Sequence, residues 1–184
     1  MNEKATTWTR LPPPLLAWYR ASARDLPWRK TRDPYRIWVS EITPQQTRVA
    51  AVLGYYARFL AAFPTVEALA AAPEDQLMKL WEGLGYYSRA RNLQKAARLV
   101  TDRGGFPDTY AGLLELPGVG DYTAAAIASA AFALREAAVD GNVLRVITRL
   151  TDDHSDASLP QTKKAVRAQV QAVFPEAEDD IRIF

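Results

Sequence analysis

The sequence predicts an all-α protein, and three observations carry that prediction. Helix-forming residues dominate the 184-residue chain, 31 of them alanine. Apolar residues recur at three- and four-residue spacing in one segment after another, with no train of alternating strands. Prolines, glycines and capping residues punctuate the chain at intervals suited to nine or ten short helices.

Each element follows from that punctuation. Pro12-Pro13-Pro14 can open a helix over 15–23, because proline is tolerated in a first turn, and Asp25-Leu26-Pro27-Trp28 stops it. Asp33 is an N-cap with Pro34 at the first helical position, starting a helix that carries Tyr35, Trp38, Val39 and Ile42. A proline inside a helix costs ~3 kcal/mol, so Thr43-Pro44-Gln45-Gln46 reads as a break and a restart. Thr43 would cap the new helix, and Gln46 would complete a capping box. That helix is expected to run to about Phe63, with Val49, Val52, Leu53, Tyr56 and Leu60 on one face.

Further helices are expected to start after Pro64-Thr65 and after Pro73, where Gln76–Glu82 is helical. Gly83-Leu84-Gly85 interrupts before an arginine-studded helix over 86–102 that Gly104-Gly105 ends. Then come a short helix over 108–115, a tight turn from Leu116 to Gly120, and an alanine-rich helix over 122–134. Asp140-Gly141-Asn142 opens a helix through Leu150, and a last one covers 159–174.

Composition narrows the chemistry. There is no cysteine and one histidine, which leaves no thiolate nucleophile, disulfide scaffold, Cys-based zinc site or iron–sulfur ligand in this chain. Any catalysis falls to carboxylates, hydroxyls or backbone. No apolar run approaches a membrane span, and the first ten residues are polar, so a cytoplasmic protein without membrane attachment is expected. The net charge of +2 hides an asymmetry of +6 over residues 1–60, zero over 61–110 and −4 over 111–184. A basic first third suits a polyanionic partner.

The segment Leu116-Pro117-Gly118-Val119-Gly120-Asp121-Tyr122-Thr123 joins two helices through two glycines. Glycines let the backbone reach positive φ and approach a ligand closely. Their N–H groups and the start of the next helix would face a phosphate oxygen. An apolar residue, Pro, Gly-x-Gly and then Thr-Ala is the pattern of a helix–hairpin–helix, which would be expected to bind DNA backbone through Leu116, Gly118, Val119, Gly120 and Thr123.

Two carboxylates stand out. Asp140 heads a helix, where the positive end favours its ionised form. Glu41 ends a segment otherwise apolar, where burial would raise its pKa and let it hold a proton for general-acid work.

Four ordered segments carry a family resemblance: Glu41 with Gln45-Gln46-Thr47, Gly83 to Leu93, Leu116 to Gly120, and Val139 to Val146. Together they resemble the MutY-type adenine DNA glycosylases of the helix–hairpin–helix, endonuclease III superfamily. The resemblance implies two helical lobes with a DNA-binding cleft between them. One lobe would cover residues 28–135 and hold the hairpin; the other would combine 1–27 with 136–184. It implies an enzyme of base-excision repair that hydrolyses the N-glycosidic bond of adenine mispaired with 8-oxoguanine or guanine. Glu41 would donate a proton to the base and activate water. Asp140 would stabilise the sugar cation, by charge or through a covalent intermediate, while Tyr122 and Asn142 assist. Such a division between two carboxylates of separated pKa is that of glycoside cleavage. Strand-cleaving relatives carry a lysine where this chain has Tyr122, so a monofunctional enzyme is implied. Gln45, Gln46 and Tyr86 would fill the duplex around an extruded base, whereas Arg89 and Arg91 read as a solvated or packed helix face.

The expected partner is double-stranded DNA with a mispaired or damaged base, bound by a monomer of bacterial, nucleoid-associated type. No cofactor is needed for the chemistry, and a monovalent cation at the hairpin is a further expectation. The chain also departs from the family. Thr43-Pro44 replaces two apolar residues, and the chain stops at Phe184, about where relatives add a helix, an iron–sulfur loop and a domain that reads 8-oxoguanine. A shortened second lobe with weakened preference for the oxidised partner is therefore expected. A mismatch glycosylase for another base such as thymine, or a non-catalytic DNA-binding remnant, are the alternatives.

Overall fold

The computed structural model describes residues 10–43 and 49–184, with the side chains of 49–51 outside that description. Among the described residues it is all-helical. Eleven α-helices follow one another: α1 (Pro12–Ser22), α2 (Pro34–Ile42), α3 (Val49–Ala62), α4 (Val66–Ala71), α5 (Glu74–Trp81), α6 (Tyr87–Asp102), α7 (Tyr110–Leu114), α8 (Asp121–Phe132), α9 (Gly141–Thr151), α10 (Pro160–Ala172) and α11 (Glu178–Ile181).

Local chemistry sets most of the starts. The Asp33 carboxylate accepts from Tyr35 N at 2.9 Å, with Pro34 at the first position of α2. Thr65 caps α4 and Thr109 caps α7 in the same way. Three expectations need correction. Pro27–Arg29 is a 3₁₀ turn rather than a plain stop, and α11 lies beyond the last helix the sequence suggests. Thr43 does not have the extended backbone of an N-cap. It stays in the helical region at φ −75° and donates its hydroxyl back to Val39 O at 2.9 Å, so it closes α2. Pro44 and the capping-box Gln46 lie outside the described residues.

Among the described residues two apolar clusters form. The larger gathers α2 through α8 around the fully buried Trp38, Phe59, Leu69, Leu77 and Trp81. Most of its aromatic pairs meet edge to face, as for Phe59 and Phe63 at 5.2 Å between centroids, while Tyr55 stacks on Phe59. Gln94, buried on α6, spends its amide on Leu69 O and Ala72 O and so satisfies the open end of α4. The smaller cluster joins Ala137, Val139, Ile147, Val166, Phe174 and Ile181.

Polar ties cross between the clusters. Arg182 donates to Ala130 O at 2.9 Å and to Ala131 O, placing a cation on the carbonyl end of α8. Arg20 and Arg32 pair with Asp180 and Asp179, which holds α11 against the N-terminal region.

Candidate active site and nucleic-acid interface

Glu41 sits on the last turn of α2. Its neighbours Trp38, Val39 and Ile42 are buried, which pulls this face of the helix against α8. The carboxyl pKa is raised above the ordinary value, chiefly by loss of water and further by the charge of Asp140. A hydrogen bond from Tyr122 opposes the rise. The phenol of Tyr122, on the first turn of α8, is itself pushed up by burial and by the two carboxylates.

Asp140 is the N-cap of α9. Its Oδ1 accepts from Asn142 N at 2.9 Å and Val143 N at 2.8 Å, and Asn142 Nδ2 donates to Oδ2 at 3.0 Å. Arg145, one turn along, donates to Asn142 Oδ1 at 3.2 Å and so orients that amide. Three donors on one carboxylate hold it as an acceptor of fixed direction. Glu41, Tyr122, Asp140 and Asn142, expected to act together, are therefore brought together. One carboxyl is desolvated and the other is held in direction by amides.

A cavity of about 570 Å³ opens beside Glu41, with Trp28, Arg29, Ser40, Ser129 and Arg182 among its walls. That volume is in the range of small-ligand sites. Trp28 is wedged edge-on against Tyr56 at 5.1 Å. Sequence reasoning missed Trp28, Arg29 and Arg182 as cavity residues. An aromatic followed by a cation at a helix break was the available signal for the first two; Arg182 had none, because only folding brings it back to α8.

The hairpin has the expected turn, with one difference. Gly118 adopts φ +79°, and a Cβ there would stand 2.9 Å from Asn92 Cβ. Gly120 is at φ −99°, open to any residue, so the expectation that both glycines use positive φ fails at the second. Nothing lies within 4 Å of where its Cβ would point. Gly120 instead keeps the mouth of α8 clear, where the first-turn N–H groups lack helical partners. The side chains of Leu116, Val119 and Thr123 are buried. Any contact these three make to DNA would run through the backbone.

Tyr86 is 62% exposed and left-handed at φ +48°, presenting its ring to solvent beside the Gly85 turn. Arg89 holds that turn in place. It donates to Leu84 O at 3.2 Å and Ile42 O at 3.3 Å and lies 5.4 Å from the Tyr86 ring centroid. This is the packed face expected of it, and it ties the Tyr86 loop to the end of Glu41's helix. Arg91 makes a surface pair with Glu74. Gln45 and Gln46 fall outside the described residues.

Among the described residues, no group of three or more His, Cys, Asp or Glu could hold a metal ion. An iron–sulfur cluster does not fit the donors of this chain, which has no cysteine. No described helix is long and apolar enough to cross a membrane.

An all-helical fold, a helix–hairpin–helix turn and two converging carboxylates define the class of helix–hairpin–helix base-excision repair proteins. The chain belongs to the HhH-GPD superfamily of base excision DNA repair proteins, whose pattern matches residues 39–176. It is 44% identical over 138 residues to the adenine DNA glycosylase of Buchnera aphidicola (subsp. Baizongia pistaciae), covering 73% of this chain and 39% of that relative. It is 49% identical over 147 residues to the adenine DNA glycosylase of Rattus norvegicus, covering 74% of this chain and 28% of that relative. The chain thus spans well under half the length of these curated relatives. A solved structure described as a thermostable thymine-DNA glycosylase superposes with a TM-score of 0.82 at 31% identity, over 99% of this chain and 83% of that one.

Proposed function

We propose that this protein binds duplex DNA and removes adenine mispaired with 8-oxoguanine or guanine, by hydrolysis of the N-glycosidic bond without strand cleavage. The observation that carries the proposal is the convergence of Glu41, Tyr122 and Asp140 from three separate helices. The names of the curated relatives support adenine as the base.

In this reading the Glu41 carboxyl, which burial makes a weaker acid that holds its proton more firmly, gives that proton to the departing adenine as the C1′–N9 bond breaks. Asp140 offsets the positive charge that develops on the sugar. The Glu41 carboxylate then takes a proton from the water whose oxygen bonds to C1′, which restores the acid. Asn142 holds Asp140 in direction, and Tyr122, which has no amine to form an imine, keeps Glu41 in place. The hairpin from Leu116 to Gly120 and the first turn of α8 would take a backbone phosphate, with Thr123 contributing its N–H. Tyr86, with Gln45 and Gln46, would fill the stack around the extruded nucleotide. The two apolar clusters suit two lobes, 28–135 and 1–27 with 136–184, with DNA between them. A monovalent cation at the hairpin would be held by turn carbonyls, and action as a monomer in the bacterial cytoplasm belongs to the same proposal.

The test is a single-turnover assay. Protein in excess is incubated with end-labelled duplex carrying A opposite 8-oxoguanine or G, followed by alkali. Alkali-dependent breakage at the adenine is the expected result; intact duplex in the presence of a gel-shifted complex refutes it. The likeness to a thymine-DNA glycosylase structure favours one second reading, removal of thymine from T·G. Breakage at that duplex alone would select it.

A further inference from the structure

A group of side chains outside the candidate site ties the hairpin to the segment that carries Asp140. Arg167, on α10, donates from Nη1 to the Tyr110 hydroxyl at 2.6 Å and from Nη2 to Glu136 Oε2 at 2.7 Å. Its guanidinium also lies 4.4 Å from the Tyr110 ring centroid. The Tyr110 hydroxyl in turn donates a hydrogen bond to Asp121 Oδ1 at 3.1 Å. Gln171, one turn along α10, donates to the same Glu136 oxygen at 3.0 Å.

The positions of the partners matter. Asp121 is the first residue of α8 and immediately precedes Tyr122, the partner of Glu41. Glu136 lies four residues before Asp140, in the connector between α8 and α9. The Arg167 and Glu136 side chains are only 23% and 25% exposed, so this ion pair is better shielded than the other surface pairs with Arg91 or Arg103. A planar fork holding two acceptors in fixed directions is something arginine does and lysine cannot.

The geometry points to Arg167 as a positioning residue that, through Tyr110–Asp121 on one side and Glu136 on the other, fixes the gap between the Tyr122–Glu41 pair and Asp140. Its consequence for turnover rests on the proposed glycosylase reading. Its consequence for geometry does not. In a reaction whose two carboxylates must flank one sugar, a shift of about an ångström can cost a hundredfold in rate.

The test has two arms, both on the full chain. Because the chain has no cysteine, spin labels can be placed at Lys95→Cys on α6 and Arg149→Cys on α9, both exposed. The label-to-label distance is then compared with and without Arg167→Leu. A broadened or displaced distribution is expected; an unchanged one overturns the proposal. The second arm, without labels, compares single-turnover rate with DNA affinity. Arg167→Leu and the milder Tyr110→Phe should slow base release while the duplex Kd stays within about threefold. Together they should slow it by less than the product of the two single effects, since both break one network. Arg167→Lys should recover the rate only in part. A rate that falls only in step with lost DNA binding, or full recovery with lysine, overturns positioning. If the unaltered protein releases no base from any duplex, the glycosylase reading falls, and the label distance alone decides on Arg167.

Discussion

The hydroxyl of Tyr122 is hydrogen-bonded to the carboxyl of Glu41, and that bond pulls against the burial that raises Glu41's pKa. Tyr122→Phe removes the opposing pull, so the Glu41 pKa should climb further. An acid that works protonated loses rate as pH rises through its pKa. The falling limb of the pH–rate profile should therefore move to higher pH in Tyr122→Phe, even with a lower maximum. A limb that stays put or moves to lower pH would show that this bond does not act on the titrating acid.

Glu41 should trade stability for function. Its folded pKa lies above the unfolded value, so its contribution is present in full below the unfolded value and is lost as pH rises through the folded one. Above that folded pKa the ionised carboxylate is a burden on the fold. Glu41→Gln, which mimics the neutral form, should slow base release about a hundredfold or more. It should also melt higher than the unaltered protein at pH 8, with the difference shrinking towards pH 4. Thermal melts across pH, alongside the single-turnover assay, check both halves.

Asp140 combines a cap with a charge, and two substitutions separate them. Asparagine caps helices about as well as aspartate, whereas alanine costs ~1 kcal/mol. Asp140→Asn should leave the melting temperature nearly unchanged and Asp140→Ala should lower it, while both abolish base release. Activity surviving in Asp140→Asn would remove the negative charge from the mechanism.

The two hairpin glycines should respond differently. Gly118→Ala meets Asn92 and a positive φ, and should destabilise by about 1–3 kcal/mol. Gly120→Ala has open space and an ordinary φ, so its melting temperature should hold. Its added methyl would stand where a phosphate would approach, and a gel shift on undamaged duplex should show weaker binding.

Arg182 makes two charged hydrogen bonds to the end of α8. Arg182→Met should cost about 2 kcal/mol, or roughly 4–8 °C for a chain of this size. A calorimetric scan reads it directly.

Local signals were legible wherever one residue acts on its own neighbours. Asp33, Thr65 and Asp140 cap the helices they precede because a short side-chain acceptor reaches N–H groups two or three residues on. Gly118 stands at positive φ as its motif requires. Thr43 misled for the same reason in reverse, since a threonine before a proline suits a cap, yet its hydroxyl found Val39 O first. Pro27-Trp28-Arg29 read as an interruption, because three residues carry too little periodicity to reveal a 3₁₀ turn.

Sequence alone carried the all-helical class, most helix starts and the Gly118 turn. In a chain without cysteine and with one histidine it left chemistry to carboxylates, hydroxyls or backbone, with Glu41 and Asp140 standing out among the carboxylates. Only the tertiary structure decided which of them meet. Glu41 and Asp140 stand 99 positions apart, and their proximity depends on α2, α8 and α9 packing together. The raised pKa of Glu41 comes from water excluded by that packing, and desolvation is a property of the assembled site that no stretch of sequence contains. Arg182 against the carbonyl end of α8 and Arg167 between Tyr110 and Glu136 belong to the same category, since long side chains choose partners by distance in space.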